Sequence, residues 1–222
     1  MTAISADHTD SISLLGNVDW ATYTRFLKVF GKQRFRHTYD RGRLEIMSPI
    51  SFEHDNLAYL LGRFVDELVE QLNLDYAPGR CVTLRKRKKQ RGLEPDNCYW
   101  IASGKRMHGK KGPIDFQIDP PPDLAIEVEI SRSALRRMKI YASLSVPEVW
   151  RTDGSSVRFA VLRGGKYRVE AKSTAFPNLG SSELNVFLTL IGAMGVQPIV
   201  KQFRQWLQQQ LPSWQTQENP PS

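Results

Sequence analysis

One stretch limits what this chain can fold into more than any other. Asp123-Leu124-Ala125-Ile126-Glu127-Val128-Glu129-Ile130 is apolar enough for the middle of a sheet, yet it carries two glutamates. Side chains alternate along a strand, so Leu124, Ile126, Val128 and Ile130 share one face while Asp123, Ala125, Glu127 and Glu129 share the other. A helical segment over about 133–145 follows, and Val146-Pro147-Glu148-Val149-Trp150 reads as a second strand, which makes a βαβ unit. Strands of such units are normally covered on both faces. Two adjacent buried carboxylates cannot both stay ionised without a compensating cation, because desolvation and mutual repulsion both raise their pKa. A divalent metal supplies that cation. The other reading is a second face open to water, with both acids simply solvated.

Around this unit the pattern asks for an α+β fold, a mixed central β-sheet flanked by helices. Asp19 can cap a first helix to about Lys32, with Trp20, Tyr23, Phe26, Leu27 and Phe30 at helical spacing. Residues 34–40 and 43–47 alternate around a turn at Gly42 as a β-hairpin. Ser51, Glu53 and Asp55 open a long helix to about Asn73. Extended segments at about 74–84 and 94–101, a hairpin at about 156–171, and one or two helices from about 181 to 210 complete the pattern. A length of 222 residues fits a single domain over 19–210, between flexible segments 1–18 and 211–222.

Charge is concentrated in one place. Residues 80–112 hold eleven Lys or Arg against two acids, Glu94 and Asp96, so the formal +8 of the chain describes one patch and not the whole surface. The densest part is Arg85-Lys86-Arg87-Lys88-Lys89-Gln90-Arg91. Such a run gains little in folding, while counterion release favours a polyanion held against it, with DNA the natural partner. A lysine-rich tip that keeps a sheet edge from aggregating explains the same run. Two cysteines, Cys81 and Cys98, are too few for a disulfide framework, and four histidines without a CxxC leave a structural zinc site short of ligands. Both thiols read as reduced packing residues. The lack of an apolar stretch of ~20 residues, and of a basic-then-apolar opening, gives the expectation of a cytoplasmic protein.

Glu94-Pro95-Asp96 opens the strand after the basic run. With the later Glu-x-Glu inside a βαβ unit, it resembles the PD-(D/E)XK nuclease motif, in which an Asp and a Glu hold Mg2+ (or Mn2+) and a third residue helps to activate water. Phosphodiester hydrolysis needs such a hard, oxygen-liganded cation. A longer set of pieces narrows the resemblance: Gly42-Arg43-Leu44-Glu45-Ile46-Met47-Ser48-Pro49, His54, Glu94-Pro95-Asp96, Pro122-Asp123-Leu124-Ala125-Ile126-Glu127-Val128, and Tyr141 through Val146-Pro147-Glu148-Val149-Trp150. In this order, across about residues 20–210, they resemble the Uma-two family of restriction-endonuclease-like proteins. The resemblance implies a restriction-endonuclease-like fold and a metal-dependent nuclease site, with Asp96 and Glu127 as metal ligands and Glu45 and His54 nearby.

At one point the chain departs from that pattern. The superfamily motif has a lysine two residues after Glu127, where Glu129 stands; in related proteins the lysine moves to the next helix, four residues before the tyrosine that is here Tyr141. That position is Arg137, and the nearest lysine is Lys139. The two sit at opposite edges of the buried stripe, and either can snorkel toward the carboxylates. An arginine does not lose its proton and cannot be a general base, so Lys139 is the expected helper, or the enzyme is weakened. The candidate catalytic set is therefore Asp96, Glu127, Glu129 as a third ligand or water-orienting acid, Lys139, Glu45 and His54. For His54 a capping or core role is the first reading, against a role in orienting substrate or water near Glu45. Arg85, Lys86, Arg87, Lys88, Lys89 and Arg91 are expected on a phosphate backbone. Three functions are open: a Mg2+-dependent endonuclease hydrolysing DNA phosphodiester bonds, a nuclease fold that binds nucleic acid with turnover lost, and a protein-interaction module using the basic hairpin. A homodimer would suit an enzyme that cuts both strands.

Overall fold

The strands form two sheets, and the chain crosses from one to the other at Pro95. The computed structural model describes residues 12–30, 35–47, 51–80, 82–130, 133 and 135–218. In chain order its elements are β1 (Ile12–Leu15), α1 (Trp20–Phe30), β2 (Arg36–Asp40), β3 (Arg43–Met47), α2 (Phe52–Gln71), β4 (Ala77–Arg80), β5 (Leu84–Lys86), β6 (Arg91–Leu93) and β7 (Asn97–Trp100). Then come α3 (Gly104–Met107), β8 (Leu124–Val128), α4 (Arg137–Ser143), β9 (Glu148–Thr152), β10 (Val157–Arg163), β11 (Lys166–Glu170), α5 (Ser181–Leu188) and α6 (Val196–Glu218). One sheet has the order β1-β3-β2-β6-β5, the other β11-β10-β9-β8-β7-β4. The α+β fold with a mixed central sheet is as expected, in the six-stranded sheet, and a second sheet that the sequence did not reveal stands beside it. Leu93 still pairs with Thr38 and Leu84, but Pro95 carries no N–H to continue the ladder, and from Asn97 onward the chain pairs with β8 and β4.

The βαβ unit stands as read: β8 and β9 are parallel, joined through α4. Every residue of β8 is buried. Leu124 and Ile126 pack with Leu60, Leu61 and Phe64 of α2, and Ala125 packs with Ile140 and Val149 on the other side. Ser51 caps α2 by accepting from the His54 N–H at 3.2 Å, and Asn73, at φ +50°, turns the chain out of it. Between β2 and β3 lie Arg41 and Gly42 with φ of +47° and +88°, the left-handed pair that a two-residue hairpin demands.

The boundaries move in three places. Ile12–Leu15, inside the segment expected to be flexible, forms an edge strand on β3. Helix α4 starts at Arg137 and not near 133, because the Leu135 N–H donates to the Glu45 carboxylate and to the Ser133 hydroxyl, which holds that segment out of helix. Helix α6 runs to Glu218 and buries Trp214 against the core, where a flexible tail was expected from 211. Cys98 is buried and its thiol is pushed up by that burial, while Cys81, Lys32 and Ser48-Pro49 lie outside the described residues. Among the described residues no helix is long and apolar enough to cross a membrane.

Candidate active site

The antiparallel register of β7 and β8 aligns Asn97 with Ile126 and Cys98 with Ala125. One step earlier, Asp96 therefore stands opposite Glu127. The Asp96 N–H donates to the Ile126 carbonyl at 3.2 Å, and its Oδ2 accepts from the Val128 N–H at 2.8 Å, which fixes the carboxylate at the end of β8. Both acid side chains are 2% exposed. Burial raises the Asp96 pKa above the ordinary carboxylate value; Arg36 offsets part of this and Glu127 adds to it.

Two arginines supply the positive charge. Arg137, the first residue of α4, grips Glu127 through both oxygens, Nε to Oε2 at 3.0 Å and Nη2 to Oε1 at 2.6 Å. It also donates to Thr38 Oγ1 at 2.6 Å and to the Glu94 carbonyl at 2.7 Å. Burial opposes its charge, but Glu127, Tyr141 and Asp96 together more than offset this and hold the guanidinium more firmly protonated than usual. The Tyr141 hydroxyl donates to Glu127 Oε1, and burial, with Glu127 beside it, pushes the phenol well above its ordinary pKa. Arg36 of β2 places Nη1 at 2.8 Å from Asp96 Oδ1 and Nη2 at 3.8 Å from Glu127 Oε2. The Glu94 carbonyl is available to both guanidinium groups because the chain is crossing between sheets there and has no ladder partner for it.

Of the residues singled out in the sequence, Asp96, Glu127 and His54 are brought together. His54 is buried, with Nε2 at 3.1 Å from Arg36 Nη1 and 3.6 Å from Asp96 Oδ1. A guanidinium only donates, so Nε2 accepts and Nδ1 carries the proton; Nδ1 has no hydrogen-bond partner among the described residues. Glu45, fully buried, lies opposite Thr38 in the β2–β3 register and accepts from Ser133 Oγ at 2.7 Å and from the Leu135 N–H at 3.1 Å, so it positions the approach to α4. Glu129 is not a third acid of this cluster. The strand ends at Val128, the Glu129 N–H bonds the Thr152 carbonyl, and the side chain pairs with Arg151 at 2.6 Å in a partly exposed setting. Lys139 is exposed on α4, and Arg137 occupies the place near that carboxylate that was left open between them.

The basic run forms the edge hairpin of the first sheet. Arg87, Lys88 and Lys89 make an exposed 3-10 turn at its tip, Arg85 and Lys86 line a cleft beside Trp20 and Phe116, and Gln90 closes the turn at φ +51°. Arg91 is the exception: it holds Asp40 at 2.8 Å and donates to the Lys139 carbonyl at 3.3 Å, so its charge is committed within the fold. Arg36 and Thr38 were missed. Their signal was the alternation of β2, which puts both on the face opposite His37 and Tyr39.

Asp96 and Glu127 are hard oxygen donors of the type that Mg2+ takes in ones and twos, with water and substrate phosphate completing its shell. A divalent ion there would replace the charge that Arg36 now brings, so the donor chemistry fits, although no group of three or more His, Cys, Asp or Glu is arranged for a metal among the described residues. The model of the Uma2 family, described as "Putative restriction endonuclease", matches residues 20–190. A solved structure titled as a putative nuclease belonging to DUF820, from Anabaena variabilis, is similar with a TM-score of 0.50 and 15% identity, over 68% of this chain and 90% of that one. At that identity the likeness speaks for the fold, which is restriction-endonuclease-like. Comparison with curated proteins finds no match.

Proposed function

We propose that this chain, which belongs to the Uma2 family, is a metal-dependent endonuclease acting on DNA. The observation that carries the reading is the meeting of Asp96 and Glu127 at the end of a fully buried central strand, with compensating cations around them. Asp96 and Glu127 would hold Mg2+ or Mn2+. When bound, the ion supplies positive charge at the scissile phosphate and acidifies the attacking water. Arg137 and Tyr141 hold Glu127 in one orientation, Thr38 and the Glu94 carbonyl keep Arg137 in place, and the exposed Arg87-Lys88-Lys89 tip attracts the phosphate backbone.

Duplex DNA incubated with the purified chain and Mg2+ or Mn2+ is expected to be cut, and Asp96→Asn and Glu127→Gln, which keep the side-chain shapes, are expected to lower the rate at least about 100-fold. Cleavage that survives in both variants, or in excess chelator, overturns the reading. One observation favours a second reading. An arginine in the lysine's place cannot accept a proton, which suits a nuclease fold that binds nucleic acid with little turnover. That reading expects salt-sensitive binding without hydrolysis under any divalent ion, weakened when Lys86, Arg87 and Lys88 are neutralised together.

A further inference from the structure

We propose that Arg36 is the resident countercation of the Asp96/Glu127 pair and gives way to a divalent ion, so that the metal affinity of this chain is set by competition with one of its own side chains. The inference rests on the metal-dependent reading above and adds to it a residue that none of the motif pieces contains.

Arg36 reaches both acids, at 2.8 Å from Asp96 Oδ1 and 3.8 Å from Glu127 Oε2, and so stands where one ion touching both would bring its charge. The two arginines are held very differently. Arg137 is 6% exposed and fixed by a two-oxygen grip on Glu127, by Thr38 and by the Glu94 carbonyl. Arg36 keeps 16% of its side chain exposed, and its other contacts are longer: 3.1 Å to His54 Nε2 and 3.4 Å to the Glu94 carbonyl. It is the cation nearer to solvent and the more easily withdrawn.

Charge balance requires that one of them leave. Two carboxylates balance two guanidinium groups; adding a doubly charged ion at contact distance, in a buried pocket where repulsion is weakly screened, leaves an excess of two positive charges. Withdrawal of Arg36 to water halves that excess, and an incoming phosphate removes the rest. Arg137 cannot play this part, since its departure would strip Thr38, Glu94 and Glu127 of buried bonds together. Withdrawal of Arg36 also uncovers His54 Nε2, which now accepts from it.

The test is Mn2+ binding to the metal-stripped full chain, followed by calorimetry and by the electron paramagnetic resonance signal of free Mn2+. The comparison takes the unaltered chain, Arg36→Met, Arg36→Lys and Asp96→Asn, at mildly alkaline pH to limit competition from protons. Arg36→Met is expected to bind one Mn2+ roughly 10- to 100-fold more tightly than the unaltered chain, the factor to which a charge-assisted hydrogen bond corresponds. Arg36→Lys should fall between them, and Asp96→Asn should abolish binding. Binding by the unaltered chain with no gain in Arg36→Met overturns this inference and leaves the metal site standing. Absence of binding in both overturns the two together. Circular dichroism and melting curves check the folds; should Arg36→Met not fold, Arg36→Lys decides, a gain supporting the inference and equal affinity overturning it.

Discussion

Two acids only two residues apart each meet an arginine through both oxygens, with the same pair of distances, 3.0 and 2.6 Å. The two regions differ in water. Glu127 and Arg137, between the sheets, are 2% and 6% exposed, whereas Glu129 and Arg151, past the end of β8, are 33% and 38% exposed. Equal geometry therefore does not mean equal energy. In the inter-sheet region each partner has given up hydration that the other, with Tyr141, Thr38 and the Glu94 carbonyl, restores, so neither can be removed alone without stranding a charge. In the outer region water takes over whatever the partner provided. A site that must hold charge in a fixed place uses the first arrangement, and a surface that need only stay hydrated tolerates the second.

Arg137→Ala breaks the comparison most forcefully. Leaving Glu127 buried without its guanidinium is expected to cost about 3–5 kcal/mol, read by urea unfolding at neutral pH. The paired variant Glu127→Gln with Arg137→Met, which removes both charges, should recover most of that loss. A cost below about 1 kcal/mol for Arg137→Ala would mean that water reaches the pair and that the two regions are alike.

The opposite face of β2 shows what burial does to a base whose acidic neighbour, Glu94 Oε1 at 3.4 Å from His37 Nδ1, makes no two-oxygen grip. His37, one residue from Arg36, is buried against α1 with Nε2 at 2.8 Å from the Tyr23 hydroxyl. Burial first, then the positive charges of Arg137 and Arg85, lowers its pKa from 6.5 to about 3. The folded chain thus holds the ring neutral, while the unfolded chain protonates it on acidification. The stability it contributes is complete above pH 6.5 and is lost as the pH falls toward 3. By about pH 4 the unaltered chain should have lost on the order of 3 kcal/mol more than His37→Gln. Unfolding curves at neutral pH and at that acid pH give the difference directly. Parallel losses in the two chains would show that the ring is protonated in the fold and that burial alone does not decide charge in this region.

The part of the site that follows from local pattern was legible. A Pro-Asp opening one strand and a glutamate inside an apolar strand pick out Asp96 and Glu127, and the helix between two parallel strands sets Arg137 within reach of them. Glu129 was misplaced because alternation holds only while a strand lasts. The ladder of β8 ends at Val128, and beyond it the side chain turns to Arg151. Lys139 was favoured on chemical grounds, as the residue able to lose a proton. The fold instead buries Arg137, whose fork matches a carboxylate with both oxygens bare. Arg36 was beyond reach for a different reason: its contact with Asp96 joins segments far apart in the chain and depends on how two sheets, one of them unexpected, face each other.

The smallest expected effect belongs to Arg151→Ala. Both members of its pair touch water, their attraction is screened at ordinary ionic strength, and fixing two long side chains in one geometry costs entropy that offsets much of the gain. The loss should lie between about 0.2 and 1 kcal/mol and shrink further in about 1 M salt, while the cost of Arg137→Ala, with its charge shielded by protein and not by ions, should hardly respond to salt. Measuring both variants at low and high salt turns the comparison into a difference of slopes, which is less sensitive to any general loosening of the fold than either value alone. An Arg151→Ala loss of about 3 kcal/mol, insensitive to salt, would place Glu129 within the buried network after all and restore it as the third acid beside Asp96 and Glu127.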